Sequence, residues 1–189
     1  MHDMKHLYHY YEKDSPPFRS ISALRFDEAE KVLIAKREKN ENLVHPDIKW
    51  FLEWRYSMDK VIRDKFIEIG GKPVRTAPVF FSLGENKGIS TWFEDADLIK
   101  IPVKGLDLDT ISFTYGDTLT VFNPKLNTGE DYWGRVFKYD EMVKLISKYG
   151  YPEDCEYIGI KGIYPEGKPF SHYLKYIEAQ VWCDSVFEA

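Results

Sequence analysis

Cysteine is nearly absent: the 189 residues contain only Cys155 and Cys183. Their separation rules out a Cys-x-x-Cys redox or zinc pair, and two reduced, buried thiols are expected rather than a disulfide. Excess positive charge is also missing. Lys and Arg number 26 against 31 Asp and Glu, a net charge of −5, so general binding to a phosphate backbone is not expected. No apolar run approaches the ~20 residues of a membrane span. The opening residues Met1 to His6 lack the cationic and apolar segments of a signal peptide, and a cytoplasmic location is expected. Glycine-rich phosphate loops are absent too: there is no G-x-x-x-x-G-K and no G-x-G-x-x-G opening a helix, which argues against a P-loop NTPase or a standard dinucleotide-binding domain. No G-x-S-x-G elbow presents a serine, and neither cysteine has a basic neighbour in sequence to favour a thiolate. The only histidine cluster, His2, His6 and His9, places His6 and His9 on opposite faces of a strand, so no metal site is expected.

What is present in quantity is aromatic surface, at 16% of residues, enough to offset ordering entropy and build a folded core. Neither repeats nor low-complexity tracts divide the chain, so residues 1–189 read as one domain. Lys5 to Glu12 reads as a first strand, with Leu7, His9 and Tyr11 on one face and His6, Tyr8 and Tyr10 on the other. Phe26, Ala29, Val32 and Leu33 recur at helical spacing through Lys39, and Asp27 and Glu30 are placed for a capping box. A second helix begins at Pro46 and stops at Gly70-Gly71. Its stripe of Ile48, Phe51, Leu52, Met58, Ile62, Phe66 and Ile69 is broken only by Arg55. Arg55, Asp59 and Arg63 form an i,i+4 ladder and Lys60 pairs with Asp64, a pattern that reads as a solvated helix face.

From Pro73 onward the pattern turns to short strands: Val79 to Leu83, Leu98 to Val103, Ile111 to Tyr115, Tyr157 to Ile160 and Tyr176 to Trp182. Met142, Leu145, Ile146 and Tyr149 mark a third helix closed by Gly150 and Pro152. This order predicts an α+β fold, with a mainly antiparallel sheet of about five or six strands, two helices in the N-terminal half and one in the C-terminal half. The stretch from Asp117 to Phe137 has no clear periodicity and is expected to be a functional lid or a mobile excursion.

Most polar residues have ordinary explanations. Glu94-Asp95 and Asp107 with Asp109 fall in turns, His45 reads as a cap and His172 as a loop residue. His9 among tyrosines, Asp117 at a strand end, and Glu178 with Gln180 on the last strand remain. A carboxylate enclosed by aromatic residues must be paired or hold its proton more tightly, and either state is useful in a site. The residues therefore predict an aromatic-lined pocket for a small, nucleotide-like ligand. Glu178 and His9 are its candidate catalytic groups, and Tyr115, Asp117, Trp133 and Gln180 are its candidate binding groups.

Five segments carry a resemblance over most of the chain: His9-Tyr10-Tyr11-Glu12, Pro17-Phe18-Arg19-Ser20, Gly70-Gly71-Lys72-Pro73, Ile111 to Asp117 and Tyr176 to Trp182. They resemble a family of uncharacterised soluble bacterial proteins with no assigned activity. Leu7-Tyr8-His9 followed by a helix, with Glu178 on a late strand, is also similar in order to the His-Tyr-Glu class of ADP-ribosyltransferases. That resemblance implies NAD as cofactor, His9 on its ribose and Glu178 assisting transfer, although the Gly-Thr usual after the histidine is Tyr10-Tyr11 here. A noncatalytic alternative is an interaction module that uses exposed aromatics of residues 117–137, Trp133 among them, as anchors for a protein partner. The enzyme reading requires His9 and Glu178 to converge on one cleft; the interaction reading requires them apart and Trp133 exposed.

Overall fold

The structure, a computed structural model, describes residues 4–39, 44–127, 129–152, 159–163, 169–173 and 176–188. Aromatic and β-branched residues build β1 (His6–Glu12), β2 (Val79–Leu83), β3 (Ala96–Pro102), β4 (Ile111–Thr114) and β7 (Ile177–Val181). These form one five-stranded sheet in the order β3-β1-β2-β7-β4, and every pairing is antiparallel. The α+β architecture expected from the sequence is therefore present. A separate antiparallel ribbon joins β5 (Gly159–Ile163) to β6 (Pro169–Tyr173), which puts His172 on a strand rather than in a loop. Cys155, His2 and the first part of the Tyr157 to Ile160 strand lie outside the described residues.

Register divides the central sheet into two chemically different faces. Tyr8 pairs with Ser82, Ser82 with Glu178, and Glu178 with Thr114, so these four share one side. Their odd-numbered neighbours Leu7, Phe81, Ile177, Ala179 and Phe113 share the other and form the main core. The helix α5 (Tyr139–Tyr149) covers this apolar face through Met142, Leu145 and Ile146. It starts at Lys138, whose backbone N–H is taken by Glu141, and stops at Gly150, where φ is 84°.

The long helix α2 (Ile48–Glu68) lies over the polar face. Asp47 caps it by accepting from the Trp50 N–H, and Gly71 closes it by donating to Phe66 O. Ile62 and Phe66 pack with Trp182 and Val136, while Leu52 and Ile48 pack with Ala29 of α1 (Phe26–Lys39). Glu28, rather than Glu30, makes the N-terminal contact of α1, accepting from Arg25 N.

Two expectations are corrected here. Arg55 and Asp59 do not face solvent: their side chains are 12% and 4% exposed, because the spacing Leu52, Arg55, Asp59, Ile62, Phe66 places both on the inward stripe. Residues 117–137 are not an excursion either. They contain α4 (Thr118–Val121), bury Tyr132 and Trp133 in the main core, and end at Phe137, which exchanges two backbone hydrogen bonds with Phe113. A further single-turn helix, α3 (Lys87–Ser90), begins at Asn86.

Candidate functional site

The polar face beneath α2 holds a buried network centred on Glu178. Its Oε1 accepts from the Thr118 hydroxyl and from Gln180 Nε2 at 3.0 Å. The Tyr176 hydroxyl lies 3.1 Å from Glu178 Oε2 and 3.0 Å from Asp117 Oδ2. Asp117 is held in place as the cap of α4, its Oδ1 accepting from Thr120 N at 3.2 Å. One phenolic proton cannot serve two carboxylates, so the second contact needs a proton on a carboxyl group. Burial, reinforced by the neighbouring Asp117 charge, raises Glu178 to about 7, against the opposing pull of Arg55. The consistent arrangement has Glu178 donating to Tyr176 Oη and Tyr176 donating to Asp117. Burial and the same two carboxylates push the Tyr176 phenol well above its usual range, which keeps it the neutral link in this chain.

Gln180 fixes the floor. Its Nε2 reaches Thr114 Oγ1 at 3.0 Å and Thr118 Oγ1 at 3.2 Å. Its Oε1 accepts from Ser112 Oγ at 2.7 Å, and Ser112 in turn accepts from Trp182 Nε1 at 2.8 Å. A buried amide whose oxygen and both N–H groups find partners is a positioning group.

The roof is supplied by α2. The Arg55 guanidinium lies over the Phe80 ring, 4.5 Å from its centroid, and its Nη1 is 3.6 Å from Asp59 Oδ1. That separation is an ion pair but too long for a hydrogen bond. Asp59 Oδ2 accepts from the Ser22 hydroxyl, whereas Nη1 and Oδ1 are both buried without a hydrogen-bond partner. Burial alone would lower the Arg55 pKa, but the charges of Asp59, Glu178 and Asp117 outweigh it and move the pKa up. Burial raises the Asp59 carboxyl, partly offset by Arg55 and Ser22. At one margin Trp92, 50% exposed, stands edge-on to Tyr176 with ring centroids 5.9 Å apart.

Of the residues expected to form a site, Asp117, Glu178 and Gln180 come together and His9, Tyr115 and Trp133 do not. His9 lies on the apolar face, opposite Glu178. Its Nε2 accepts from Phe18 N at 3.0 Å, so Nδ1 is the donor to Phe80 O at 2.9 Å. Burial lowers its pKa, and the neutral ring stacks between Tyr11 and Phe18. His9 and Glu178 therefore do not converge on one cleft: strand parity puts them on opposite faces of the sheet. Tyr115 belongs to the main core and donates to Gly150 O at 2.8 Å. Trp133 is only 8% exposed and donates to Glu130 Oε2 at 2.8 Å, so it is not the exposed anchor that a docking loop requires.

Arg55, Asp59 and Tyr176 were absent from that sequence-derived set. The inward spacing on α2 carried the signal for the first two, and Tyr176, two residues before Glu178, shares its face by strand parity. Among the described residues no group of three or more His, Cys, Asp or Glu is placed to hold a metal ion, and no helix is long and apolar enough to cross a membrane. An open groove of about 470 Å³ lies elsewhere, between α1 and the start of α2, and none of its polar lining residues Glu30, Arg37, Asp47 and Lys49 is buried. No protein-family model, curated protein or solved structure matches the chain.

Proposed function

We propose that the polar face of the sheet binds a small polar molecule and exchanges a proton with it through Glu178. The observation that carries this reading is the Asp117–Tyr176–Glu178 chain, which holds a carboxyl proton that is released near neutral pH. A group that gains and loses its proton at working pH is suited to acid–base chemistry. The aromatic rings beside this polar face are Phe80, under the Arg55 guanidinium, and Tyr176 with Trp92. Even with Glu178 holding its proton, Asp59 and Asp117 face the single Arg55 guanidinium and disfavour a phosphate, so the ligand is of nucleoside or heterocycle type rather than a nucleotide held by its phosphates. NAD-dependent transfer loses its ribose-holding residue with His9 on the other face, and it is not the reading supported best.

The experiment is a titration of the full chain with adenosine, uridine and free heterocycles, followed by backbone amide shifts on both sides of pH 7. Saturable shifts around Arg55, Trp92 and Tyr176 are expected, with an affinity that changes across this pH in the parent chain and stays flat in Glu178→Gln. Absence of saturable shifts with every compound would sink the proposal.

A further inference from the structure

We infer that the Arg55–Asp59 pair is a recognition subsite for an uncharged amide-type group, a carbonyl acceptor beside an N–H donor such as a carboxamide or a lactam ring presents. This deepens the proposed function and rests on it. Arg55 Nη1 is a buried donor and Asp59 Oδ1 a buried acceptor, neither with a hydrogen-bond partner, and they face each other as an ion pair at 3.6 Å. The rest of both side chains is already held, the guanidinium by the Phe80 ring and Oδ2 by Ser22. The open atoms therefore sit on prepositioned groups, which lowers the ordering cost of a ligand that meets them. Both atoms are buried, while the Arg55 side chain as a whole keeps 12% exposure.

Charge selects among the groups that fit. Arg55 already faces Asp59, Glu178 and Asp117, so an anion arriving at Nη1 meets an acidic surround. A cation satisfies Oδ1 and leaves Nη1 unmatched. An amide answers both, because its oxygen and nitrogen lie roughly 2.2 Å apart by standard bond lengths and can fan out to the two protein atoms. An ordered water can fill the same position until a ligand displaces it.

The test uses three probes of one shape, benzamide, benzoate and benzylamine, titrated calorimetrically into the full chain and into Arg55→Lys and Asp59→Asn. Both substitutions retain polarity and size, and thermal unfolding identifies a variant that has not folded. Benzamide should bind at least tenfold more tightly than the other two, and each substitution should weaken it roughly tenfold to a hundredfold. Benzoate binding as tightly as benzamide would overturn the inference, as would no binding by any probe, or benzamide binding unchanged in both variants. If benzamide fails while a nucleoside binds in a Glu178-dependent manner, the subsite falls and the proposed function stands.

Discussion

Burial and the neighbouring Asp117 charge raise the Glu178 carboxyl, and this makes stability respond to pH in a defined direction. Glu178 has a folded pKa of about 7 against an ordinary value of 4.5. Between those values the unfolded chain has released the proton and the folded chain retains it. Stability therefore falls as pH rises through this window, by at most about 1.4 kcal/mol per pH unit for one group. Asp59, also raised, adds a slope of the same sign. Asp109, lowered to about 2 by its hydrogen bonds to Lys72 and Lys138, acts oppositely and only in stronger acid, losing its contribution as pH falls toward 2. Glutamine at position 178 mimics the protonated acid, because its amide N–H can donate to Tyr176 while the oxygen still accepts from Thr118. Urea unfolding across this pH range should show a shallower decline for Glu178→Gln than for the parent chain, and greater stability of the variant above pH 7. Equal slopes in both proteins would show that Glu178 does not hold the proton.

At the scale of elements, α2 decides whether the site exists. Its inward stripe reads Leu52, Arg55, Asp59, Ile62, Phe66, apolar except for one ion pair above the sheet. Breaking a buried pair from one side costs about 3–5 kcal/mol, whereas replacing both members by apolar residues of similar volume is often neutral or stabilising. The two single changes are unequal here. Arg55→Met leaves Asp59, Glu178 and Asp117 facing one another, while Asp59→Leu leaves Arg55 with two carboxylates in reach. A double-mutant cycle in urea should find Arg55→Met the costlier single change and the double variant more stable than Arg55→Met alone. Strict additivity of the two single effects would contradict the coupling.

The same helix shows what the sequence could and could not convey. Its length was readable from Pro46 and Gly70-Gly71, and β2, β4, β7 and α5 from alternation and helical spacing. The ion pair was misread because an i,i+4 ladder looks alike whether it faces water or a polar sheet, and only the partner surface distinguishes the two. The single-turn helices α3 and α4 are too short to show a period and are marked only by their caps Asn86 and Asp117. His9 and Glu178 are both buried polar residues on strands. Which face each occupies depends on register across β2, which a single strand does not disclose.

Across the whole molecule, the sheet separates an apolar face from a polar one: α5 closes the first and α2 the second, with β7 between β2 and β4 carrying residues to both. The two edges are treated differently. β4 is closed by the backbone bonds of Phe113 to Phe137. Among the described residues no strand pairs with the outer side of β3, which bears Asp97, Lys100 and Pro102, the charged and proline residues that discourage pairing with another chain. Register fixes which of its amides are outward. Val103 N donates to Lys5 O, and residues two apart repeat the pattern, so the N–H groups of Ile101 and Ile99 turn toward β1 and that of Lys100 turns away. Hydrogen exchange in dilute solution should accordingly find Ile99 and Ile101 slow, with the slowest amides on β7. Protection along β3 that grows with protein concentration would instead mean that a second copy adds a strand to this edge, and the charged residues of β3 would then not be acting as a barrier.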